Sequence, residues 1–156
     1  MPRNSRLSEN RRMGADNESE MREGMMPVTG LVPMIPVWDM ERALEFYKLL
    51  GFAVGNRVPR HGAINWAWLY APNAPDWRRG PNLMLSRSEH EIDRAARGVL
   101  LYLYATDLVS LRDELAKAGK SPGPIQYPDY LPKGEFAILD PDGYRLMVAQ
   151  SDSDTP

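Results

Sequence analysis

Between Leu31 and Gln150 the chain passes through short apolar stretches of two periods, one alternating and one helical, and the order in which they come repeats. Leu31 to Val37 is apolar, contains Pro33 and Pro36 and reads as an extended strand. Asp39 then stands as a helix N-cap, and Met40, Ala43, Leu44, Tyr47 and Leu50 recur at helical spacing until Gly51 stops the run. The same pattern returns 68 positions later, where Val99 to Ala105 is a second apolar strand and Asp107 a second cap. There Leu108, Leu111, Leu115 and Ala118 form the stripe, and Gly119 is the stop. A single offset relates Asp39 to Asp107, Met40 to Leu108, Ala43 to Leu111, Tyr47 to Leu115 and Gly51 to Gly119, which points to a duplicated module.

Each predicted helix is followed by strands joined at turns. In the first half these are Phe52 to Val58, a Pro-Arg-His-Gly turn at 59–62, Ala63 to Tyr70, a polar loop, and Asn82 to Ser86. In the second half Glu135 to Leu139 and Tyr144 to Gln150 flank the turn Asp140-Pro141-Asp142-Gly143. Residues 121–133 hold four prolines and read as loop. The expected organisation is a disordered tail over 1–28, one domain over 29–150, and a frayed end at 151–156. Within the domain, module one covers 31–87, a charged linker 88–97, and module two 98–150.

Strand alternation divides the side chains between two faces. Pro33, Ile35 and Val37 correspond to Leu101, Leu103 and Ala105, and this face is expected to lie under the helices. The opposite face carries Val32, Met34, Leu100, Tyr102 and Tyr104. On the strand ending at Tyr70, Trp66, Trp68 and Tyr70 share one side. Together with Met84 and Met147 they give a concave wall of aromatic and thioether groups. The expected ligand-binding residues are therefore Met34, Trp66, Trp68, Tyr70 and Met84 from module one, with Leu100, Tyr102 and Met147 from module two. Such a wall suits planar or cationic organic molecules through stacking, cation–π and sulfur–aromatic contacts, each worth roughly 0.5–2 kcal/mol. Core or dimer interface is the other reading of Trp66 and Trp68. Arg57, Arg145 and Glu135 are available as polar handles, and Trp77 stands where it either closes the mouth or meets a second subunit.

Composition removes several chemistries. The net charge of −2 offers no basic footprint for nucleic acid. With no cysteine there is no disulfide, thiolate metal site or cysteine nucleophile. No apolar run is long enough to span a membrane, and the arginines near the start have no apolar segment behind them, so a cytoplasmic protein is expected. Residues 1–24 carry five arginines, five acids and almost no large aliphatic side chain, a composition that cannot offset the entropy of ordering. Met1, Met25 and Met26 are all possible natural starts. Only His61 and His90 are present, one in a predicted turn and one in the linker, and both read as exposed. No serine sits in a nucleophile elbow, no glycine-rich phosphate loop occurs, and Asp140 and Asp142 read as turn formers. No catalytic residue is assigned.

The segment Val37-Trp38-Asp39-Met40-Glu41-Arg42-Ala43-Leu44-Glu45-Phe46-Tyr47, continuing to Leu50-Gly51-Phe52, resembles the vicinal-oxygen-chelate superfamily, as does Asp140-Pro141-Asp142-Gly143-Tyr144. That superfamily includes glyoxalases, extradiol dioxygenases and bleomycin-resistance proteins, and the resemblance runs from Leu31 to Gln150. It implies an α+β fold of tandem βαβββ modules whose curved mixed sheets form a cup with helices on the outer face. It also implies metal ligands on the first and last strands of each module, at Val32, Met84, Leu100 and Met147. None of these is an imidazole or a carboxylate, so neither metal nor cofactor is expected. The sequence thus points first to a homodimeric, metal-free protein that sequesters a small organic molecule, in the manner of the bleomycin-resistance group. A superfamily enzyme with a non-standard site and an interaction module without a ligand are the alternatives.

Overall fold

A computed structural model describes residues 30–76, 79–93 and 98–152, and the described residues from Val32 to Asp152 form one compact unit. The predicted tail over 1–28, Trp77 and residues 153–156 of the predicted frayed end lie outside the described residues, whereas Ser151 N–H donates to the Ala105 carbonyl and Asp152 pairs with Lys133. The element order is β1 (Met34–Val37), α1 (Met40–Leu49), β2 (Ala53–Val58), β3 (Trp66–Tyr70), β4 (Asn82–Arg87), β5 (Leu100–Ala105), α2 (Leu108–Lys117), β6 (Glu135–Leu139) and β7 (Arg145–Gln150). This is an α+β arrangement of two modules, each with its own mixed sheet.

The repeat read from the sequence is present in atomic detail. Asp39 accepts from the Arg42 backbone N–H at 3.0 Å and Asp107 from that of Ser110 at 2.9 Å, so the same cap opens both helices. Both close alike: Phe52 N–H donates to the Tyr47 carbonyl and Lys120 N–H to that of Leu115. Gly51 and Gly119 sit between at φ 89° and 73°, the left-handed conformation that this helix ending requires.

Module one forms a four-stranded sheet of order β1-β4-β3-β2, in which β1 and β4 run parallel with Met34 level with Met84. Module two forms a three-stranded sheet of order β5-β7-β6, with β5 and β7 parallel and Tyr102 level with Met147. A fourth strand in module two is reduced to an isolated bridge between Gln126 and Glu135. The prolines in 121–133 account for this, since a proline has no N–H to give to a ladder.

One apolar core joins the modules. It takes Ile35, Val37, Leu69 and Leu85 from the first sheet, Phe136, Ile138, Leu146 and Val148 from the second, and Met40, Phe46, Tyr47, Leu108 and Leu115 from the helices. Each fully buried aliphatic or aromatic side chain contributes on the order of 1.5–3 kcal/mol. Two stripe positions differ from expectation. Phe46 is buried although the stripe did not include it, and Ala118 is exposed because it caps the helix end rather than continuing it. Pro33, which was expected beneath the helix, precedes β1 and is exposed.

The Asp140–Gly143 turn fastens module two to module one. Trp38 N–H donates to Asp142 Oδ1 at 2.8 Å, and the Tyr144 hydroxyl donates to the Pro36 carbonyl at 2.9 Å. The Tyr47 hydroxyl on α1 donates to Asp140 Oδ2 at 3.1 Å.

Candidate functional site

On module one, the pleat of β3 turns Ala67 and Leu69 into the core and leaves Trp66, Trp68 and Tyr70 half-buried on the other face. Trp68 is level with Met84, and Met84 with Met34, so the five predicted residues of this module occupy one sheet face. The rings of Trp68 and Tyr70 stack with centroids 5.2 Å apart and planes 19° from parallel. Trp68 Nε1–H donates to Asn82 Oδ1 at 2.9 Å, and Asn82 Nδ2–H donates to the Gly80 carbonyl at 2.7 Å, which fixes the indole. Gly55 makes room for it, since a Cβ there would lie 2.5 Å from Trp68 Cε3.

On module two, Leu100, Tyr102 and Met147 line a cavity of about 520 Å³ together with Tyr130 and Arg145. Beneath it Glu135 is 3% exposed. Its Oε1 accepts from the Tyr130 hydroxyl at 2.7 Å, and its Oε2 accepts from the Tyr102 hydroxyl. The sequence named Glu135 only as a polar handle and did not single out Tyr130. A signal for Glu135 was present, because alternation places it on the same side as Ala137, opposite the core residues Phe136 and Ile138. Tyr130 gave none, as its position depends on the path of an irregular loop.

The eight predicted residues thus fall into two groups, five on the first sheet and three on the second. Both groups point away from the shared core. Each group is open to solvent in the single chain, with Met34 59% and Leu100 54% exposed. Arg57 is occupied elsewhere: its guanidinium donates to the carbonyls of Pro59 and Gly62 and braces the hairpin turn. His61 and His90 are both exposed.

Asp140 and Asp142 do form the predicted turn, but they are also buried. Burial raises the Asp140 carboxyl above its ordinary range, against the lowering effect of its bonds from Tyr144 N–H and the Tyr47 hydroxyl. Burial, and then Asp140, push the Tyr47 hydroxyl far above the usual phenol range, so it stays protonated and donates. Asp142 Oδ2 is buried with no hydrogen-bond partner among the described residues.

Residues 31–148 match the Glyoxalase/Bleomycin resistance protein/Dioxygenase superfamily. The chain belongs to this superfamily. Solved structures of the same fold include a bleomycin-binding protein complexed with bleomycin, at 19% identity, TM-score 0.61, and coverage of 80% of this chain and 100% of that one. Another is the bleomycin-binding protein of Streptomyces verticillus complexed with copper(II)-bleomycin, at 22% identity, TM-score 0.57, and coverage of 82% and 100%. A superfamily member from Sphaerobacter thermophilus matches at 19% identity and TM-score 0.62, with coverage of 81% and 100%. No curated protein matches the chain.

A divalent metal, which superfamily membership raises as a possibility, can be tested against the donors present. Val32, Met84, Leu100 and Met147 supply no nitrogen or carboxylate oxygen. Strand register sets Met34 level with Met84 and Tyr102 level with Met147. The one oxygen so introduced is a phenol whose hydrogen goes to Glu135. Among the described residues no three His, Cys, Asp or Glu side chains converge. These residues do not fit a hard or borderline divalent ion.

Proposed function

We propose that this protein binds a small aromatic or cationic organic ligand on its aromatic sheet faces, without a metal, and sequesters it rather than transforming it. The observation that carries the reading is the Trp66, Trp68 and Tyr70 row. Two of its rings are stacked and one indole is held by Asn82, on a face whose neighbouring strand positions hold thioethers. A rigid aromatic wall keeps its contact area at low entropic cost, which favours planar ligands. Solved structures of this fold in complex with bleomycin and copper(II)-bleomycin support the same class of activity.

We further propose that the working form is a cytoplasmic homodimer in which a second copy covers the open faces. Val58 and Tyr104 are exposed on strands of the single chain and would be withdrawn from water by a second copy, which supports this reading. Among the described residues no helix is long and apolar enough to cross a membrane.

The test is a thermal-shift screen of aromatic amines, glycopeptides and neutral aromatics, with elemental analysis of the same preparation. A ligand at about 100 times its Kd should raise stability by roughly 2.7 kcal/mol. One stoichiometric divalent ion in the purified protein, with no response to any organic ligand, would overturn the reading.

A further inference from the structure

Behind the cavity over module two lies a buried carboxyl group with no cationic partner among the described residues. Glu135 is almost completely buried on the pocket side of β6, yet both of its oxygens are occupied by neutral phenols, those of Tyr102 and Tyr130. Among the described residues no lysine or arginine pairs with it. Lys133, two residues away, is bound to Asp152 at 3.1 Å, and Arg145 lines the cavity from an exposed position without reaching Glu135. Buried carboxylates are ordinarily compensated by a cation.

The hydrogen-bond directions also matter. A carboxylate only accepts, so each hydroxyl that meets it must spend its single hydrogen there. Tyr102 and Tyr130 both line the cavity, and their oxygens therefore offer lone pairs alone to anything that enters.

We propose that this cavity anchors the protonated nitrogen of an organic cation that carries at least one N–H, such as a primary ammonium or a guanidinium. The two phenol oxygens accept from the nitrogen, Glu135 supplies the opposite charge behind them, and Leu100 and Met147 hold the apolar body. Charge-assisted hydrogen bonds are about twice as strong as neutral ones and need a donor hydrogen, so a quaternary ammonium of the same shape is disfavoured. Arg145 also lines the cavity, but its exposed guanidinium is screened by solvent, so its repulsion of the cation is weak beside the attraction of the buried Glu135. This inference rests on the ligand-binding reading above and narrows it to one chemistry at one end of the site.

The experiment is a calorimetric titration of the full chain at low salt with phenethylamine, its trimethylammonium analogue and neutral phenethyl alcohol. The amine should bind at least about tenfold more tightly than either of the others. In Glu135→Gln, which keeps the size and removes the charge, the ratio of amine to alcohol affinity should fall towards one. Tyr130→Phe alters a largely exposed side chain, so it serves if Glu135→Gln does not fold, and it should lower the ratio several-fold. Equal binding of amine and alcohol by the native protein overturns the cation anchor while leaving an aromatic pocket. An unchanged ratio in Glu135→Gln overturns it as well. No saturable binding of any of the three overturns both this inference and the reading on which it rests.

Discussion

Two side chains show how much of this molecule depends on single atoms. At Gly55 a methyl group would meet the edge of the Trp68 indole at 2.5–2.7 Å, and that ring is tied to Asn82 and stacked on Tyr70. The indole cannot swing clear without losing both contacts. Gly55→Ala should therefore cost about 1–3 kcal/mol, read as a lower urea midpoint and a shift in tryptophan emission. Asp140 behaves differently because its carboxyl is raised by burial. A group that holds its proton more tightly in the folded chain than in the unfolded one contributes stability that is complete below its unfolded value. That contribution is lost as pH rises through its folded value. Relative to Asp140→Asn, the native protein should thus become less stable as pH climbs from the ordinary carboxylate range through the raised value, and the difference should then level off. Urea midpoints of the two proteins across that range would check the sign, and a rising difference would contradict it.

At the scale of elements, the strand, cap, helix and glycine of each module follow the same rules twice. Asp39→Ala and Asp107→Ala should each cost about 1 kcal/mol, since each removes the acceptor for one otherwise unpaired N–H. The two losses should be additive in thermal unfolding, because the caps sit in different modules. These features were legible because they are local: a cap and its partner are three residues apart, and Gly51 and Gly119 answer a need of their own helix ends. The face assignment of Trp66, Trp68 and Tyr70 was legible as well, since alternation alone separates them from Ala67 and Leu69. What the sequence did not disclose depends on distant partners. The contacts of Asp140 and Asp142 with Tyr47 and Trp38 span 93 and 104 positions, and no periodicity encodes such a pairing. Tyr130 reaches Glu135 across only five positions, but through a loop whose route is set by its prolines and by Tyr127 packing over Gly134.

At the scale of the whole molecule, the two sheets share a core on their helix-covered sides and turn their aromatic faces outward. This arrangement explains why the predicted ligand-binding residues fall into two open groups in one chain. If a second copy covers the exposed apolar positions outside the cavity, Val58→Glu should shift the protein from dimer to monomer in light scattering, because an unpaired carboxylate in an apolar interface is costly. The absence of donor side chains at the metal positions and the aromatic lining belong to one account, in which contact area and charge do the binding. The most direct test is a titration of intrinsic tryptophan fluorescence with an aromatic amine, run on chelator-treated protein and on protein supplied with zinc, magnesium or manganese. Saturable quenching of the same affinity is expected in every case, reduced at least about tenfold by Trp66→Ala with Trp68→Ala. Quenching that arises only once a divalent ion is added would contradict it.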